Sequence, residues 1–97
     1  MSEGRLRLDK WLWCARFYRT RELAAMACTK GHIRINGFRV EKASREVKPG
    51  DILTLPQNRE AVVVRVLAGA TRRGAAPEAR QLYEPVEDQP PQRSLQG

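Results

Sequence analysis

Apolar residues recur along this chain at two periods, and the change from one to the other divides it. Leu8, Trp11, Leu12 and Ala15 are spaced i, i+3, i+4, i+7, one apolar stripe of a helix. Asp9 near its start, and Arg16 and Arg19 at or after its end, carry the charges that a helix dipole favours at those ends. Trp13 and Phe17, four apart on another face, either extend the core or form a partly exposed aromatic ledge. At least one of them belongs in the core. Thr20 is placed as the N-cap of a second helix over 21–30, with Glu22 in its first turn. Leu23, Ala24 and Ala27 give that helix a small-residue face for close packing, and Gly31 is placed as its left-handed cap. The link between the helices is short, so they form a compact helix-turn-helix-like pair.

Beyond Gly31 the period becomes two. His32 to Ile35 and Phe38 to Glu41 alternate on either side of Asn36-Gly37, the signature of a hairpin with a type I′ turn. The two-residue turn fixes the register. Ile35 faces Phe38 and Ile33 faces Val40, both pairs expected on the buried side. Arg34 faces Arg39 on the other side, with His32 opposite Glu41. Lys48-Pro49-Gly50-Asp51 predicts a type II turn with Gly50 at the position of positive φ. A strand over 52–55, a loop over 56–59 and a valine-dense strand over 60–67 then complete a small, mostly antiparallel sheet. Residues 69–74 read as a loop carrying Arg72 and Arg73. Residues 77–84 read as a short helix with Pro77 at its first position. The polar stretch from Pro85, with Pro90-Pro91, reads as a disordered tail. The class expected is α+β: two packed helices, a small sheet with an Asn-Gly hairpin, and a short C-terminal helix. The divisions are 5–68, 69–84 and 85–97.

Charge sharpens this picture. Residues 1–50 hold 12 Lys or Arg against 5 Asp or Glu, and residues 51–97 hold 6 against 6. The whole net charge of +7 therefore belongs to the first half. A one-sided excess implies a polyanionic partner, where a merely solubilising surface would spread its charge. Cys14 and Cys28 lie fourteen residues apart in the two helices, and His32 is the one histidine. That is no zinc set, so the cysteines read as free thiols serving as small apolar residues, and no cofactor or metal is expected. No serine nucleophile motif or phosphate-cradling glycine loop is present, which argues against an enzyme. No apolar run approaches the roughly 18 residues of a membrane span. Met1-Ser2-Glu3-Gly4-Arg5 lacks the apolar run of a secretory signal, so a cytoplasmic location is expected.

The Arg34–Arg39 pair is the most specific of the charged features. Like charges directly opposite each other in a hairpin destabilise it by roughly 0.2–1 kcal/mol, a cost that a phosphate between them removes. The alternative is that the long side chains splay into water. Other cations favour the anion: Arg7 and Lys10 at the start of the first helix, Arg16, Arg19 and Arg21 around the helix link, and Lys30, His32, Lys42 and Lys48. Such a surface reads shape and charge, as is usual for structured RNA. Stacking of single strands is less favoured, because Trp13, Phe17 and Tyr18 are the only candidates and some of them must be core.

The run from Arg7-Leu8-Asp9-Lys10 through Thr20-Arg21, Leu23-Ala24, Gly31 and Asn36-Gly37 to Lys48-Pro49-Gly50-Asp51 strongly resembles the alpha-L RNA-binding domain of the S-four type. By that resemblance Arg7, Lys10, Thr20, Arg21, Asn36 and Lys42 lie on an RNA-binding face made by the helices and hairpin. Lys10-Trp11-Leu12-Trp13 and the run from Ala15 to Arg21 look most like the heat-shock-protein-fifteen branch. The segment from Arg72-Arg73 to Leu82-Tyr83-Glu84 extends the likeness. That branch implies a ribosome-associated protein that handles large subunits still carrying a nascent chain on transfer RNA. Ala25 stands where the pattern usually has a basic residue, with Lys30 as a candidate substitute. The stretch over 85–97 is shorter and less basic than the extension many members carry. The expectation is a monomeric, non-catalytic binder of large-subunit ribosomal RNA. The alternatives are a general RNA chaperone or transfer-RNA binder without stable ribosome association, and a DNA-binding helix-turn-helix protein. The last fits poorly, because the arginine-bearing hairpin would crowd a recognition helix in its groove.

Overall fold

The computed structural model describes residues 6–57, 60–70 and 72–86, the side chain of Gln57 excepted. A short strand, β1 (Leu6–Arg7), leads directly into α1 (Leu8–Cys14), and α2 (Arg21–Thr29) follows. β2 (Arg34–Ile35) and β3 (Phe38–Arg39) form the hairpin, and β4 (Glu46–Val47) returns to β1. β5 (Ile52–Gln57) and β6 (Glu60–Val66) make a long ribbon. α3 (Ala76–Ala79) runs into a 3₁₀ turn (Arg80–Leu82), and β7 (Tyr83–Pro85) follows. The sheet is antiparallel in the order β3-β2-β5-β6-β7, so the class is α+β.

The helices form where the spacing placed them. Leu8, Trp11, Leu12 and Ala15 are all buried, and α2 meets them with Ala24, Ala27 and Cys28. Leu23, expected on that packing face, is nearly half exposed, because the buried stripe centres on positions 24, 27 and 28 and leaves it on the flank. Thr20 Oγ1 accepts from the Leu23 N–H at 3.1 Å, the expected N-cap. Both helices end in the same two-bond cap. The N–H groups of Arg16 and Phe17 donate to the Trp13 and Leu12 carbonyls, and those of Gly31 and His32 to the Cys28 and Ala27 carbonyls, all at 3.0 Å. The cap needs a left-handed residue. Gly31 takes it without steric cost at φ +78°, whereas Arg16 takes it at φ +68°. For a residue with a Cβ that conformation costs roughly 1–2 kcal/mol. Arg16 Nη1 in return donates to the Gly74 carbonyl at 2.8 Å.

Trp11 is the keystone of the core. Its ring is fully buried, stacks near Phe17 (6.1 Å) and meets Tyr83 edge-on (6.4 Å), while Nε1 donates to the Ala68 carbonyl at 2.9 Å. One side chain thus ties α1 to the start of the loop after β6. Trp13 and Phe17 are both half-buried, but only Phe17 packs against the core.

The hairpin register is as expected, with Arg34 opposite Arg39 and Ile35 opposite Phe38, and a turn with φ +52° at Asn36 and +89° at Gly37. Ile33, Ile35 and Val40 are buried, but Phe38 is not: it is 75% exposed. β3 is the outermost strand of the sheet, and at the hairpin tip the core no longer reaches it. Asp51 N–H donates to the Lys48 carbonyl at 3.1 Å and Gly50 sits at φ +98°, which makes the expected turn.

Two boundaries differ from expectation. Pro56 and Gln57 belong to β5 rather than to a loop, pairing with Ala61 and Glu60. β2 pairs with β5 only at Leu53 and Thr54, so beyond them the β2 side of β5 carries no partner strand and the missing Pro56 N–H breaks no ladder there. The expected helix over 77–84 stops early. Tyr83 and Glu84 pair with Val66 and Arg65, because β6 otherwise leaves an open edge that this segment closes. Pro85 is the last residue of β7, and the remainder of the expected tail, 87–97, lies outside the described residues. Among the described residues no helix is long and apolar enough to cross a membrane.

Candidate nucleic-acid interface

The cations expected at the site fall into four groups, two of them built on a nearly buried aspartate. Asp9 lies in the first turn of α1, whose leading N–H groups are satisfied by the 43–45 segment: Leu8 N–H donates to the Arg45 carbonyl (2.7 Å) and Asp9 N–H to that of Ala43 (3.3 Å). The Asp9 carboxylate accepts from Arg7 Nε and Nη2, both at 3.2 Å, and pairs with Arg21 Nε at 3.5 Å. It therefore joins arginines fourteen positions apart and fixes the direction of two exposed guanidinium groups. Lys10 is half-buried next to it, and its N–H donates to Asp9 Oδ1 at 2.8 Å.

Asp51 makes the second group. It accepts from the Lys48 N–H (3.0 Å), Lys48 Nζ (3.1 Å) and Asn36 Nδ2 (3.2 Å). Burial pushes its carboxyl up, but the donors from Lys48 and Asn36 outweigh that and hold it below the ordinary carboxylate range. Asn36 Oδ1 also accepts from the Ile52 N–H at 3.0 Å. The amide is thereby spent on locking the hairpin turn to the start of β5, just as the Thr20 hydroxyl is spent on its cap. Lys48 keeps most of its surface exposed.

The third group lies along the hairpin edge. A Cβ on Gly31 would fall 2.9 Å from Arg39 Cδ, so the arm of Arg39 lies against the end of α2, where Lys30 and His32 are exposed. Arg34 Nη1 reaches the Gly37 carbonyl at 3.5 Å. A shallow depression of about 260 Å³ runs from Arg39 past Lys42 to Arg45. A second of about 280 Å³ continues from Arg45 past Lys48 to Asp51. Arg45, absent from the expected set, thus lines both depressions. It lies in an aperiodic segment between hairpin and turn, where charge alone was the available signal.

Arg16, Arg19 and the loop cations belong to a separate patch at the helix link. Arg73 lies over the Trp13 ring (5.7 Å), and its Nε donates to the Trp13 carbonyl at 3.0 Å and Nη2 to that of Tyr18 at 3.4 Å. With Arg16 on Gly74, this clips the 72–74 loop to the α1–α2 turn. Arg19 is exposed between the two helices. Both cysteines are free and buried. Burial, with Asp9 nearby, pushes the Cys28 thiol up to about 11, and burial raises Cys14 against the pull of Lys10, Arg21 and Arg73. Neither is a thiolate at neutral pH. Among the described residues no three His, Cys, Asp or Glu side chains come together as a metal set.

Comparison with known proteins identifies the architecture. Residues 6–53 match the S4 domain. The heat shock protein 15 homolog of Haemophilus influenzae is 41% identical over 87 residues, 90% of this chain and 66% of that protein. The RQC P-site tRNA stabilizing factor of Halalkalibacterium halodurans is 35% identical over 88% of this chain and 94% of that protein. A trimeric crystal structure of Vibrio cholerae heat shock protein 15 superposes with a TM-score of 0.82 at 40% identity, covering 87% of this chain and 84% of that one. The chain spans about two thirds or less of the length of the curated heat shock protein 15 relatives it matches, 59% in the case of Escherichia coli. The shared domain, the identity across most of the chain and the superposition together establish that it belongs to the heat shock protein 15 family of S4-domain proteins.

Proposed function

We propose that this chain is a non-catalytic binder of structured ribosomal RNA that associates with the large subunit and acts on subunits still carrying a nascent chain on transfer RNA. The observation that carries the reading is the like-charged register of Arg34 and Arg39, continued through the depressions lined by Arg39, Lys42, Arg45 and Lys48. Around these two shallow hollows the cations outnumber the acids Glu41, Glu46 and Asp51, which suits the phosphates of a folded RNA, whose shape rather than base edges is read. Arg7 and Arg21, aimed by Asp9, add contacts at the helix starts, with Lys10 beside them, and Arg16 and Arg19 at the helix link. One chain carries all these groups, so a monomer is the smallest binding unit. That a relative is named for stabilising P-site tRNA supports the ribosomal reading over a free RNA chaperone.

Sedimentation tests it. In low-salt extract the protein should run with the large subunit on a sucrose gradient, and migration at the top would sink the reading. Arg21→Ala and Arg34→Ala should each weaken RNA binding without unfolding the protein. With roughly five to eight phosphates contacted, log affinity should fall with log salt at a slope of about 4–7.

A further inference from the structure

We propose that Phe38 is a base-stacking residue, whose ring takes an unpaired nucleotide of the RNA held by Arg34 and Arg39; this rests on the RNA-binding reading above. Of the six aromatic residues, all described, five have packing partners. Trp11, Phe17 and Tyr83 stack together, Tyr18 packs on the core, and Trp13 lies beneath Arg73. Phe38 alone is exposed, at 75% of its surface. Its carrier is rigid: the two-residue turn is pinned by Asn36 to both Asp51 and Ile52. A ring held by an ordered tip loses little freedom when a planar partner settles on it.

The surroundings choose that partner. From residue 30 to residue 40 the chain carries Lys30, His32, Arg34 and Arg39 and no acidic residue. The bond from Arg34 Nη1 to the Gly37 carbonyl draws that guanidinium to the residue preceding Phe38. Phe38 shares the Ile35 face of the hairpin and the arginines take the other, so a strand that wraps the tip meets both, a base over the ring and a neighbouring phosphate at the Arg34 guanidinium. An apolar protein surface would satisfy the ring and leave the arginines facing each other. A fully paired duplex would satisfy the arginines and leave the ring in water.

The test uses the full chain with two stem-loop RNAs of equal phosphate count, one with an adenine-rich loop and one with abasic loop nucleotides. Wild-type protein should prefer the base-bearing loop by about 5- to 150-fold, the worth of one stacked base. Phe38→Ala should abolish most of that preference, and Phe38→Leu likewise, while Phe38→Tyr retains it. The salt slope should stay the same throughout, because no phosphate contact is lost. The melting temperature should also hold, since the ring is not part of the core. A preference that survives in Phe38→Ala overturns the inference, and so does one that survives in Phe38→Leu, which would make the contact merely apolar. Loss of salt-dependent binding by the wild type to both RNAs would instead bring down the RNA reading itself.

Discussion

The five-stranded sheet ends in two edges that fill the same kind of position in opposite ways. At one edge, β2 and β3 set Arg34 directly across from Arg39. At the other, β6 and β7 set Arg65 directly across from Glu84, and the two side chains form an ion pair. The matched edge is electrostatically closed. Its pair is about half exposed and is worth at most about 1 kcal/mol, but it needs nothing from outside. The unmatched edge carries a repulsion of similar size, which on the proposed reading an incoming anion relieves. The wider charge distribution repeats the contrast, +7 in residues 1–50 and zero in residues 51–97. The lesson is that part of the chain's stability is left unoptimised at one edge, and that edge also presents the exposed aromatic ring.

The sharpest way to break this contrast is to make the first edge resemble the second. Arg34→Glu converts a like-charged pair into an attractive one. Urea unfolding should show a gain of roughly 1 kcal/mol in the free protein. RNA affinity should fall by at least about tenfold, and the salt slope by about one to two, as one phosphate contact is lost and a repelling charge is added. Stability and binding thus move in opposite directions. A variant that loses stability, or binds RNA as the wild type does, would show that the arginine pair stores nothing for a ligand.

How much of this could be read from residues alone follows the range of the interactions involved. The helix stripe and the hairpin register are local: Leu8, Trp11, Leu12 and Ala15 declare a face, and Asn36-Gly37 fixes Arg34 against Arg39. Alternation gave Phe38 the correct side of its strand, but it says nothing about how far the core extends beneath an edge. β1 and β4 are two residues each, too short to show a period. Tyr83 and Glu84 are strand because β6 offers an open edge, a fact held by residues nearly twenty positions earlier. Asp9 was legible as a helix-start residue, but its grip on Arg21 depends on how α1 and α2 cross, which no spacing reveals.

That grip gives a prediction of unusual sign. Removing a carboxylate from a basic surface should strengthen RNA binding, and Glu22→Gln, on the exposed first turn of α2, should do so slightly. Asp9→Asn should do the reverse and weaken binding by about 3- to 10-fold, roughly 0.7–1.4 kcal/mol, because Arg7 and Arg21 lose the group that aims them. The amide keeps an oxygen for the Lys10 N–H, so the helix start survives. Titrations at a temperature where both variants are fully folded separate aim from stability. Equal or tighter binding by Asp9→Asn would reduce Asp9 to a residue of the fold.

The smallest effect is expected at the matched edge, and it bears on whether there is a face at all. Glu84→Arg sets two arginines opposite each other there, as the hairpin does at the other edge, and should cost no more than about 1 kcal/mol in unfolding free energy. Adding Arg65→Glu should restore it, since the pair is then merely reversed. The substitution raises net charge by two, yet RNA affinity should not change measurably. Four strand spacings separate β7 from β3, about 19 Å. That is more than twice the screening length of roughly 8 Å at physiological salt. Tighter RNA binding by Glu84→Arg, comparable with the loss in Arg34→Glu, would mean that the protein responds to total charge rather than to charge in place. The two edges would then differ in sequence without differing in role.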